Sequence, residues 1–183
     1  MSRFSTRLLM ACAAIGVAGG VLFTAHAIIG GLTVNTIPYL YGLTMGLYFL
    51  PGTLSQALFR RPGVGLLTSA LAGLVSSPFQ PIFFLAFVIS VGVGLVQELP
   101  FAATRYRNWG PWPFWIGALL QGLLVSGAAF GILRGQDLGT AGAILLVVCF
   151  FVSPFVFTAI ARRLATALDR AGVARGLRAG DET

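Results

Sequence analysis

The chain runs as long apolar stretches separated by short polar or charged interruptions, spaced at the length of membrane helices. A helix needs about 20 mainly apolar residues to cross a hydrocarbon core of about 30 Å. Runs of that kind predict spans at 8–30, 38–59, 62–77, 82–104, 113–133 and 140–161. The third is short and lies between Pro62 and Pro78. It is expected to be sheltered by its neighbours or to form a re-entrant pair with the fourth. The expected fold is all-α: a polytopic membrane protein with six transmembrane helices in residues 1–165 and a basic cytoplasmic tail in 166–183.

Composition points the same way. Of 183 residues, 57% are apolar and 9% charged, with mean hydropathy +0.89. Soluble domains carry roughly 25% charged residues, so a water-facing surface cannot be assembled from this chain.

Charge then sets the direction of the spans. All 12 basic residues are arginine. Arg3 and Arg7 precede the first span, Arg60 and Arg61 follow the second, and Arg105 and Arg107 follow the fourth. Arg162, Arg163, Arg170, Arg175 and Arg178 follow the sixth, and only Arg134, beside Asp137, falls on the other side. Short arginine-rich loops stay in the cytoplasm, so both termini are expected inside. The net charge of +7 then reads as membrane anchoring, and no nucleic-acid partner is expected. Residues 1–27 carry signal-peptide features and an Ala25-His26-Ala27 cleavage pattern. The apolar run continues past that point to Leu32, so the first helix is expected to be retained.

Trp109, Trp112 and Trp115 cluster where the fifth span starts, as an interfacial aromatic belt does. Small residues repeat at helical spacing. The first span carries Ala11, Ala14, Ala18 and Ala25 on one face, and Ala13, Gly16 and Gly20 on another. Gly42 with Gly46, and Gly127 with Gly131, repeat the four-residue step. Such faces let helices approach closely where lipid supplies no hydrophobic drive. Two faces on one helix leave one for a partner. Cys12 and Cys149 read as packing residues.

Little here supports catalysis. With no lysine, a nucleotide-binding phosphate loop and a lysine Schiff base are excluded. One histidine and no hydrolase or zincin motif leave no catalytic residues, metal ligands or cofactor to expect. Glu98 is the single formal charge within the spans, and such a group is a functional candidate by default. It is expected either to anchor a ligand or to pair with Arg60, Arg61 or Arg105. Depth counting places Gln97, Glu98, Gln121, Thr68 and Ser69 in one layer, as interhelical glue or the floor of a cavity. A second polar set, including His26, Thr33, Asn35, Tyr39, Tyr41, Ser76, Ser77, Gln80, Gln136 and Asp137, lies toward the outside. Tyr39, Tyr41, Phe79, Phe83, Phe84 and Phe87 offer faces for a planar ring.

The middle of the chain adds a family likeness. Arg61-Pro62-Gly63 opens a helix. Gly94-Leu95-Val96-Gln97-Glu98 then runs to Phe101-Ala102-Ala103-Thr104-Arg105-Tyr106-Arg107. This pattern, over residues 39–112, resembles the YkoE-type substrate-binding (S) components of energy-coupling-factor (ECF) vitamin transporters. The resemblance implies a multi-pass protein of the bacterial cell membrane that captures a small vitamin, thiamine or its hydroxymethylpyrimidine precursor. It also implies docking on a transmembrane coupling subunit served by two ABC ATPase subunits, with Ala14, Ala18 and neighbouring Ala11 at that interface. Glu98 matches the family glutamate. Substrate contacts are expected from Glu98, Gln97, Gln121, Tyr39, Tyr41, Gln80, His26 and Ser69. Ser69 and Ser76 stand where relatives often carry acids, and Val93 where glutamine is frequent. The alternatives are a membrane scaffold or a stand-alone proton-coupled carrier.

Overall fold

A computed structural model describes residues 5–133, 138–173 and 177. Arg3, Arg134, Gln136, Asp137, Arg175 and Arg178 lie outside the described residues. The described chain is all-α, with seven α-helices: α1 (Thr6–Thr36), α2 (Pro38–Thr44), α3 (Leu50–Phe59), α4 (Val64–Ser76), α5 (Phe84–Ala103), α6 (Pro111–Leu133) and α7 (Gly139–Arg170). α1, α5, α6 and α7 are long and apolar enough to cross a membrane.

The segment expected as the second span is a broken helix. α2 and α3 are joined by a 3-10 stretch, Met45–Phe49. Gly46 explains where the break falls. A side chain at Gly46 would meet the Ser153 carbonyl oxygen at 2.5 Å, so the backbone passes hard against α7. There the Gly46 N–H donates to Ser153 Oγ at 2.7 Å, and Ser153 Oγ donates to the Leu43 carbonyl. Pro51 sits in the first turn of α3, where its missing N–H costs nothing. The fourth helix is also short, at 13 residues, and a single 3-10 turn, Ser77–Phe79, extends it. α7 outruns the expected span by nine residues. Its apolar run ends near Ala161, but the following arginines, leucines and alanines are strong helix formers and carry the helix to Arg170.

α1 packs on α4 through glycine. A side chain at Gly16 would meet Leu71 Cβ at 2.7 Å, and one at Gly20 would meet Val75 Cβ at 2.6 Å. Gly42 does the same for α2 against Phe150 of α7. Gly127 and Gly131, by contrast, face open space.

Two apolar clusters mark the two ends. Leu8, Cys12, Leu58, Phe59, Val64, Ala161 and Ala165 gather the start of α1, the end of α3, the start of α4 and the end of α7. That end carries the arginines, and Arg61 Nε donates to the Leu177 carbonyl there at 2.9 Å. At the opposite end, Phe150 and Leu146 of α7 pack with Ala129 of α6, beside Tyr39, Tyr41 and Met45.

Candidate functional site

The intramembrane carboxylate is spent on a helix end. α4 starts after Pro62-Gly63, and Gly63 (φ +79°) has no side chain to cap the helix. Its first N–H groups would be orphans in a poorly hydrated setting. Glu98 of α5, 6% exposed, supplies the cap from the neighbouring helix. Its Oε2 accepts from Gly63 N at 3.2 Å, and its Oε1 from Gly65 N at 3.0 Å and Leu66 N at 3.4 Å. The negative charge also sits on the positive end of the α4 dipole. Tyr106, at φ +57° in the turn after α5, brings its hydroxyl to the same carboxylate. Burial, the Glu98 charge and that hydrogen bond push the Tyr106 phenol up to about 12. Among the described residues the partners of Glu98 are therefore backbone N–H groups and a phenol. The expected pairing with Arg60, Arg61 or Arg105 is corrected, because the bare N-terminus of α4 lies nearer than any guanidinium.

One turn away, the expected polar layer is largely glue. Gln97 Nε2 donates to the Phe49 carbonyl at 2.8 Å, and Ser69 Oγ donates to Gln97 Oε1 at 3.1 Å. Gln56 Nε2 donates to the Gln97 carbonyl at 3.3 Å. Thr68 returns its hydroxyl to Val64 of its own helix. Gly52 leaves room for this cluster, since a side chain there would collide with Gln97. Gln121 of α6 does not join. Its Oε1 is buried without a hydrogen-bond partner, as is Thr158 Oγ1 of α7.

A cavity of about 190 Å³, mainly apolar with a few polar groups in its wall, opens toward the end away from the arginines. Tyr41, Met45, Tyr48, Ser76, Gln80 and Ser90 line it, with apolar walls from α5. Tyr41, Met45 and Tyr48 of the second segment reach it at the i, i+4, i+7 spacing of one helix face. His26 of α1 sits behind the tyrosines, 8% exposed. It stacks on Tyr41 at 5.4 Å and meets Tyr48 edge-on at 5.1 Å. Gly30 makes room for Tyr41, which a side chain there would strike at 2.8 Å.

The protons of this cluster can be counted. Thr44 Oγ1 donates to a backbone carbonyl, that of Leu40 or Tyr41, each at 3.0 Å. With that bond kept, its contact with His26 Nε2, at 2.9 Å, uses the imidazole N–H. In the neutral ring Nδ1 is then an acceptor, and the Tyr48 hydroxyl, 3.2 Å away, donates to it. Ser90 gives its proton to the Ala86 carbonyl at 2.9 Å, and Ser76 to the Gly73 carbonyl at 3.2 Å. Gln80 Nε2 donates to the Phe23 carbonyl at 3.3 Å, and its side chain also faces the Tyr48 hydroxyl. In this tautomer Tyr48, like Ser76 and Ser90, turns lone pairs, not a proton, to the cavity. The tautomer follows from this count of donors.

Of the residues singled out from sequence, Tyr41 and Gln80 line the cavity and His26 orients it. Glu98, Gln97 and Ser69 lie toward the arginine-rich end, in the cap and the glue. Tyr39 packs in the α6–α7 cluster, near Gly142. Phe79, Phe83 and Phe84 are exposed on the outer surface. Sequence reasoning missed Tyr48, Ser90 and Met45. Tyr48 lies seven residues after Tyr41, a helical repeat that marks one face.

The two small-residue faces of α1 have separate fates. The glycines pack on α4. Ala11, Ala14 and Ala18 line an apolar groove of about 430 Å³ with Pro51, Leu54 and Leu168 of α3 and α7.

The described chain is thus a bundle of membrane-length apolar helices with a small cavity near one end and an apolar groove on one flank. The model of a family described as the permease component of an ABC-type cobalt transport system matches residues 8–124, and the chain belongs to that family. The fold is similar to the crystal structure of an S-component of an ECF transporter. The TM-score is 0.82 at 17% identity, covering 96% of this chain and 90% of that one. No match was found among the curated proteins.

Proposed function

We propose that the protein is the substrate-capturing S component of an ECF-type importer. In this reading six spans place both termini in the cytoplasm, and the cavity near Tyr48 opens outward. The observation that carries the substrate assignment is the spent protons: Tyr48, Ser76 and Ser90 offer acceptors, beside the ring faces of Tyr41 and Tyr48. Such a lining suits a planar heterocycle rich in N–H donors. A volume of about 190 Å³ is below the range of roughly 300–1,000 Å³ that holds drug-sized ligands. Hydroxymethylpyrimidine, small and carrying an amino group, is favoured over thiamine. The match to a cobalt-transport family raises a metal ion as the other cargo. Among the described residues no three His, Cys, Asp or Glu side chains converge, and the lining is hydroxyl, phenol and carboxamide. Divalent transition metals are bound mainly by imidazole, thiolate and carboxylate, so an organic ligand is the better reading.

In the same reading the groove along Ala11, Ala14 and Ala18 receives an apolar helix of the coupling subunit, and the ATPases act through that subunit. The experiment is calorimetry on purified protein with hydroxymethylpyrimidine, thiamine, an analogue lacking the amino group, and cobalt(II). The amino compound should bind, and Tyr48→Phe, which removes one acceptor, should weaken it roughly tenfold. Equal binding of the analogue lacking the amino group would defeat the assignment, as would binding of cobalt alone.

A further inference from the structure

We propose a second site at the arginine-rich end: a pocket for a net-anionic, phosphate-bearing headgroup where α3, α6 and α7 diverge. A cavity of about 210 Å³ lies there between Arg60, Trp109, Phe114, Arg162, Thr166 and Asp169. Its lining is polar, unlike the apolar groove beside α1. Three features of the two arginines make it a recognition site rather than a gap between charges.

The first is how Arg162 is held. Its guanidinium lies over the Phe114 ring at 5.5 Å and the Trp115 ring at 5.9 Å. Those two faces orient the guanidinium at the pocket wall without using its N–H donors. The second is the backbone of Arg60. It closes α3 in the left-handed region (φ +51°, ψ +44°), a position that favours glycine over any residue with a Cβ. The chain nevertheless places an arginine there, at the pocket. The third is charge. Two guanidiniums face one carboxylate, Asp169, which is engaged within the fold and tempers repulsion between the arginines. The lining stays net positive.

Position favours a lipid as the source of the phosphate. Exposed Trp112 and Trp115 flank the pocket, as side chains at headgroup depth do. Basic pockets between helices at the cytoplasmic interface bind anionic headgroups, and arginine's fork matches phosphate oxygens.

The test is native mass spectrometry of the detergent-purified full chain with phosphatidylglycerol or phosphatidylcholine. Parallel thermal-shift arms use inorganic phosphate and glycerol phosphate. Phosphatidylglycerol should be retained preferentially. Arg60→Gln and Arg162→Gln should each weaken retention roughly tenfold, the loss of one charge-assisted hydrogen bond. Arg162→Lys should fall between, and Arg107→Gln, an exposed arginine outside the pocket, should not change it. Monodisperse elution of each variant certifies its fold. Protection by soluble phosphate equal to that by the lipid would keep the phosphate site and overturn the lipid source. Equal retention of both lipids, or retention unaffected by either glutamine variant, would overturn the site.

Discussion

Replacing Glu98 by glutamine separates a cap from a ligand anchor. The carboxylate accepts three backbone N–H groups from the start of α4, at 3.2, 3.0 and 3.4 Å. Glutamine keeps one oxygen. If that oxygen takes the place of Oε1, Gly65 and Leu66 keep a neutral acceptor, while Gly63 faces an amide that can only donate. Losing one charge-assisted hydrogen bond costs about 1.5–3 kcal/mol, and removing the anion from the helix N-terminus costs up to about 1 kcal/mol. The expected destabilisation is about 3 kcal/mol, or roughly 6–12 °C in Tm for a chain of this size. Thermal unfolding followed by tryptophan fluorescence in detergent measures it. The cavity should be spared, because Ser90 lies eight residues before Glu98, about 12 Å along α5. Ligand affinity measured on the same preparation should change by no more than about twofold, well under the 1.4 kcal/mol of a tenfold step. A variant of normal stability that has lost ligand binding would refute the capping account.

Two further outcomes follow from other features. Ala14→Trp or Ala18→Trp should fill the groove beside α1 and abolish assembly with a coupling subunit in pull-down experiments while sparing ligand binding; assembly that survives would return that face to lipid. The Tyr106 phenol, raised to about 12 in the folded protein against about 10 for a free tyrosine, binds its proton more tightly folded than unfolded. Its contribution to stability is therefore complete below about pH 10 and is lost as pH rises through 12. Difference absorbance at about 295 nm between the wild type and Tyr106→Phe should show one phenol titrating near the upper value, and a titration near 10 would contradict the Glu98–Tyr106 contact.

Much of this was legible in the residues, and its limits have physical causes. Hydropathy located the helices because lipid demands apolar length, yet it could not see the break at Met45–Phe49, which depends on Gly46 meeting the backbone of α7. Counting charges isolated Glu98. It could not name the partners of Glu98, because those partners are backbone N–H groups, which every residue except proline carries. The available hint was negative: α4 opens on Pro62-Gly63, with no capping side chain of its own. Depth counting brought Ser69 to Gln97, but depth says nothing of facing, so Gln121 was grouped with side chains that leave its Oε1 without a hydrogen bond. Tyr41 and Gln80, singled out by polarity near one end, lie in the cavity wall, and His26 stacks on Tyr41. Tyr48 hid in an apolar run because its polar tip is satisfied only across helices.

The cap on α4 also constrains how the chain can be made. Thirteen residues rise about 20 Å, short of a hydrocarbon core of about 30 Å. Until residue 98 has been synthesised, the first N–H groups of α4 lack the Glu98 acceptor and are left to water. In the six-span reading, the helix then has reason to wait at the insertion machinery and to enter the bilayer together with α5, as a hairpin closed by its own glutamate. Nascent chains truncated before residue 98 should leave α4 accessible to aqueous labelling, and chains extended past it should not. Glu98 would then act first as a latch during biogenesis.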